Sequence, residues 1–124
     1  MARYENTKAI SLEAGEAISI GRFVDVSAAN TVTMGDAATD NIIGVSAEAV
    51  ATVGDSVPVC VGSGVVLIEL GGTLAAGAIV ECGTNGVAVA SAGAGDIIGG
   101  VLLEGGDSGD LVPMVLNIQR RFAA

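Results

Sequence analysis

Residues 106–109 spell Gly-Asp-Ser-Gly, the string that surrounds the nucleophile of trypsin-like proteases. A serine attacks only when a neighbouring base takes its proton. The chain contains no histidine, and no lysine lies near Ser108. Gly-Asp pairs are what tight turns use, so residues 104–110 read as a turn. Glu104, Asp107 and Asp110 recur every three residues and could offer oxygens to a calcium ion. They lack the twelve-residue frame of an EF-hand, and a solvated acidic turn is the simpler reading. Asp36 and Asp40 invite the same two readings. Gly71-Gly72-Thr73 and Gly93-Ala94-Gly95 lack the lysine and the strand–loop–helix setting of a phosphate loop. Cys60 and Cys82 follow no CxxC spacing and each sits in an apolar run. They read as buried thiols, with a disulfide between them left open. The sequence therefore predicts no catalytic residue, no metal site and no cofactor.

The elements around these residues are short and glycine-punctuated. About ten segments alternate valine or isoleucine with small or polar residues, and helical periodicity is nearly absent. Residues 47–53 suit either a helical turn or an extended chain. Asn85-Gly86 is a strong hairpin signal. Residues 65–70 carry bulk on both faces, which predicts a central strand. The pattern as a whole predicts an all-β fold, a small barrel or sandwich.

That fold is written twice. At an offset of 55 residues, Ile42, Ile43, Gly44, Gly54, Asp55, Val57 and Pro58 meet Ile97, Ile98, Gly99, Gly109, Asp110, Val112 and Pro113, and the chain's two prolines coincide. Val32 and Met34 meet Val87 and Val89 at the same offset, whereas Gly21, Val24, Asp25 and Val26 meet Gly77, Val80, Glu81 and Cys82 at 56. The expectation is an internal duplication of about 55 residues, with a one-residue slip between these two sets. Gly44, Gly54, Asp55, Pro58, Asn85, Gly86, Gly99, Gly109, Asp110 and Pro113 are its structural turn residues, and Gly44 pairs with Gly99. The organisation expected is an extended arm over residues 1–12, one β domain over 13–118 with halves at about 21–61 and 77–116, and a tail over 119–124. Two such halves could close into one barrel.

Net charge is −9, and Arg3, Lys8, Arg22, Arg120 and Arg121 are the only cations. No interior basic patch can form, which argues against nucleic acid. The longest charge-free runs, 56–68 and 82–95, are too short and too glycine-broken to span a membrane as helices. Residues 1–10 place Glu5 and Lys8 where a signal peptide needs an apolar core. Charged residues make up 15% of the chain, below the roughly 25% usual for soluble domains, so sister subunits or a larger assembly are expected to cover part of the surface. With one tyrosine and two phenylalanines, the core must be built of small aliphatics.

The segments YENTKAISLEAG, GRFVDVS, IIGV, VGDSVPVCVGSG, LGGTLAAGAIVECGTNGVAV, IIGGVLLEGG and DLVPMVLN together resemble the capsid decoration (cement) proteins of tailed bacteriophages. The resemblance implies a virion protein on the outer capsid surface, made in the host cytoplasm and stabilising the shell. It also implies the major capsid protein as partner and self-assembly as a trimer. Residues 1–12 would be a capsid-binding arm, with Tyr4 as aromatic anchor and Arg3 and Lys8 facing carboxylates. The other expectation is a non-catalytic β binding module, such as a tail, fibre or accessory domain.

Overall fold

The computed structural model describes residues 8–37, 40–91 and 97–120. Ten strands follow one another: β1 Lys8–Ala14, β2 Phe23–Ala28, β3 Thr31–Met34, β4 Ile42–Ser46, β5 Ser56–Val61, β6 Gly64–Glu69, β7 Ile79–Cys82, β8 Ala88–Ala90, β9 Ile97–Leu102 and β10 Leu111–Arg120. A single 3-10 turn, Thr84–Gly86, separates β7 from β8. β-branched residues supply the strand faces, as expected for half-buried pleated surfaces.

The strands form two units. The N-terminal unit is a closed barrel ordered β1-β3-β2-β4-β5, and the C-terminal unit is a five-stranded sheet ordered β6-β10-β9-β7-β8. If β6 takes the place of β1, β7 of β2, β8 of β3, β9 of β4 and β10 of β5, the two orders are the same. The duplication expected from the sequence is therefore present at the level of topology. It reaches individual hydrogen bonds. Ala14 N–H donates to Asp55 O as Leu70 N–H does to Asp110 O, and Gly54 N–H donates to Ala14 O as Gly109 N–H does to Leu70 O. Gly54 and Gly109 turn the chain with φ of 95° and 93°, a region that favours glycine.

Pro58 and Pro113 also coincide, but inside strands. Pro58 O accepts from Ala47, one residue past the end of β4, and Pro113 O accepts from Leu103, one residue past the end of β9. The missing N–H thus falls beyond the neighbouring strand, where no ladder bond is lost.

The sequence match is corrected in one register. Val24 pairs with Gly44, and Val80 pairs with Gly100. A Cβ on Gly44 would run into Cys60 O, and one on Gly100 would run into Val115 O. The counterpart of Gly44 is therefore Gly100, and that of Ile43 is Gly99. Likewise the parallel bridge of β1 to β3 at Ala14↔Val32 is repeated at Leu70↔Ala88, so Val32 corresponds to Ala88 and not to Val87. The offset stays at 56 through β4, and the one-residue slip falls between β4 and β5. A slip of one residue exchanges the two faces of a strand, so letter matching alone aligned the wrong faces.

Three further expectations change, and one left open is decided. The halves do not share one barrel, because the first closes on itself through β1–β3 and β1–β5 pairing. The arm expected over residues 1–12 ends earlier, since Lys8 through Glu13 pair with Val61 through Ser56. β6 ends its sheet instead of lying centrally; on its less buried face, beside Val65 and Leu67, Glu69 meets Arg22 of the N-terminal unit. Residues 47–53, which by sequence suit a helical turn or an extended chain, form a bent connection without a helical turn, in which Ile18 and Val50 exchange backbone hydrogen bonds of 2.8 Å.

The core has two parts. Ala14, Ile18, Val24, Val32, Val57 and Val59 fill the N-terminal barrel. The larger cluster fills the C-terminal unit with Val66, Ile68, Leu70, Val80, Leu102, Met114 and Leu116, and it also includes Phe23, Ile42, Val45 and Cys60 from the first unit.

Candidate functional site

The residues with chemical potential are scattered and locally satisfied. Asp110 accepts the Asp107 N–H at 2.9 Å, and Thr73 donates to Asp107 at 3.2 Å. Gly-Asp-Ser-Gly is thus held as a turn, with Ser108 exposed. Asp40 in the same way accepts from the N–H groups of Asp36 and Ala37. Among the described residues no cluster of three or more histidine, cysteine or acidic side chains could hold a metal ion. A depression of about 520 Å³ lies over residues 17–20 and 49–51 and is lined by apolar and serine side chains alone.

Gly44, Gly99, Pro58 and Pro113 lie within strands, while Gly54, Asp55, Asn85, Gly86, Gly109 and Asp110 stand in turns. Lys8 is exposed at the start of β1. Arg3, Tyr4, Gly93-Ala94-Gly95, Arg121 and Phe122 lie outside the described residues, as do residues 1–7 of the expected arm and 121–124 of the tail.

What the fold does assemble is a seam between the two units. Glycine at position 21 (φ 72°) brings the chain out of the N-terminal barrel, and its carbonyl accepts the Glu69 N–H at 2.9 Å. Arg22 then reaches across the gap between β6 and the Thr84–Gly86 turn. It donates to Glu69 Oε1 at 3.1 Å and to Asn85 O at 2.9 Å. Phe23 follows, and its ring occupies the space beneath Gly99, where a Cβ would collide with Cζ and Cε1. Gly99 thus leaves room that Ile43 fills in the first unit. Cys60 and Cys82 are both free, both buried and both part of this seam's core. Burial raises both thiols. Cys82 is pushed from 9.0 to about 12 by burial first, then by the charges of Asp40, Asp25, Asp36 and Glu81. A thiol so placed is a poor nucleophile.

Sequence reasoning did not find the seam. Arg22 as the lone interior cation and Phe23 as the lone interior aromatic were its available signals.

The class defined by these features is a tandem pair of five-stranded β units, joined through an apolar seam that the Arg22–Glu69 ion pair borders. A solved structure of this kind is the N base of head fibre gp8.5 of bacteriophage phi29. It covers 95% of this chain and 99% of its own, with a TM-score of 0.73 and 17% sequence identity, so the likeness is one of fold. No family model and no curated protein matches the sequence.

Proposed function

We propose that this protein is a non-catalytic structural module of a phage particle, of the head-fibre-base kind. The observation that carries the proposal is the near end-to-end correspondence with the phi29 head-fibre base, 95% of one chain on 99% of the other. Both units and their junction are matched, not one generic barrel. The lack of histidine and the local satisfaction of the acidic turns support a role without chemistry. Of the two expectations drawn from the sequence, the fibre-type binding module is thus favoured over a dedicated decoration protein.

In the finer form of the proposal, the module sits on the outer surface of the head, contacts the major capsid protein and self-associates, as a trimer. Residues 1–7 with Arg3 and Tyr4, followed by Lys8, are the proposed capsid contact. Imaging particles with and without the protein tests it. The expected difference is a discrete projection on the head; density only at the tail, or none on any particle surface, would overturn the head assignment. Titrating heads with a chain lacking residues 1–5 tests the contact, and at least tenfold weaker binding is expected, about 1.4 kcal/mol.

A further inference from the structure

The duplication makes the internal seam a template for a second, unfilled one. The first unit offers the seam an outward row. Phe23 pairs with Val45, Val45 pairs with Cys60, and Ile42 lies beside them; all four are buried against the C-terminal unit. The counterparts in the second unit are Ile79, Val101, Val115 and Ile98, joined by the same pairings. Three of these are open to solvent: Ile79 is 48% exposed, Val101 39% and Val115 37%. Ile79, Ile98 and Val101, with Asn117 and Gln119, border a shallow depression of about 110 Å³.

The receiving side shows the converse. In the C-terminal unit, Val66, Ile68, Cys82 and Leu116 lie in one core with the first unit's row, and Val66 and Cys82 are 0% and 3% exposed. Their counterparts in the N-terminal barrel are Ile10, Leu12, Val26 and Val61. By register they face the barrel interior, since Ile10 pairs with Val59 and Val26 with Val32. Yet Ile10 and Val26 are 39% and 40% exposed, and among the described residues none closes that end. Among the described residues, one chain therefore carries both halves of a second seam that it does not itself fill, a row on one unit and an open end on the other.

Building on the self-association reading above, we propose that a second copy of this chain fills it, head to tail. The Ile79–Val101–Val115 row of one copy covers the Ile10–Val26 end of the next. Such a contact is heterologous, so it propagates until it closes into a ring or continues as a filament, and it does not stop at a two-fold dimer. Apolar residues contiguous across strands and open to solvent are the usual sign of a docking face. The contact between copies is weaker than the seam within one. Ala78 stands where Arg22 stands in the first unit, so no cation meets Glu13, the counterpart of Glu69.

The test uses two charge substitutions at exposed positions, Val101→Glu on the row and Val26→Glu on the open end, with folding checked by circular dichroism. Each variant alone is expected to sediment as a monomer of 12.1 kDa at concentrations where the wild type is oligomeric. Mixed one to one at high concentration, they are expected to form a two-chain complex, because each retains the half that the other lost. A mixture that stays monomeric, or a Val101→Glu chain as oligomeric as wild type, would overturn the head-to-tail assignment while leaving self-association standing. A wild type that is monomeric at every concentration would overturn both.

Discussion

The two units share strand order, bridges and turn hydrogen bonds, yet they solve closure differently. The N-terminal barrel closes with its own residues, as Glu13 N–H donates to Asn30 O and Gly15 N–H to Val32 O. In the C-terminal unit the second of these bonds is repeated by Gly71 and Ala88, but the first is not. Glu69 N–H donates instead to Gly21 of the other unit. Arg22 and Phe23 enter through the gap this leaves. The difference teaches that one fold can be stabilised by its own ladder or by a neighbour's side chains, with Gly99 leaving the room that the Phe23 ring takes.

The largest effect should come from blocking that entry. Gly99→Val places atoms where the Phe23 ring lies, and overpacking with loss of the ring's site is expected to cost about 3 kcal/mol or more. Phe23→Ala should cost about 3–5 kcal/mol by emptying the same space, whereas Ile79→Ala at the exposed counterpart should stay within about 1 kcal/mol. Urea titration of the three variants compares them directly. Equal costs at Phe23 and Ile79 would erase the distinction between the units.

A smaller effect is expected at the ion pair. Arg22 and Glu69 are partly exposed, so Arg22→Ala should lose about 1–2 kcal/mol, mostly for the orphaned hydrogen bonds to Glu69 and Asn85. Because both side chains keep some contact with solvent, added salt should shrink the difference between this variant and wild type.

Cys82 gives the comparison a pH axis. Its thiol is raised above its unfolded value, so the folded chain holds the proton more tightly. The corresponding stability is complete below pH 9.0 and is lost as pH rises towards about 12. Cys82→Val should flatten that alkaline decline, as measured by the urea midpoint across the window. The least effect belongs to Ser108→Ala. That residue is exposed and should change stability by no more than about 0.5 kcal/mol.

The strands, the turns and the existence of a repeat were legible in the sequence because β alternation, Asn-Gly and Gly-Asp are local signals. Pro58 and Pro113 aligned correctly for the same reason. The register of Gly44 was not legible. The runs Ile42-Ile43-Gly44 and Ile97-Ile98-Gly99 match letter for letter, but a bulge and the pairing to Val24 and Val80 set which glycine faces inward. The seam was hidden further. Nothing local marks Gly99 as the site of an aromatic ring 76 positions away in the chain, because that contact exists only once both units have formed.

The bond from Glu69 to Gly21 also bears on the order of events as the chain is synthesised. Contacts that close the first unit, from Lys8↔Val61 to Ala14↔Val32, are all complete once residue 61 has emerged. The second unit is then expected to fold against Gly21, Arg22 and Phe23 on a surface already formed, so that dependence between the units runs mainly one way. A chain truncated after β5 should retain protected amides in hydrogen exchange, whereas residues 64–120 alone should exchange freely, so the N-terminal unit acts as the template for its own duplicate.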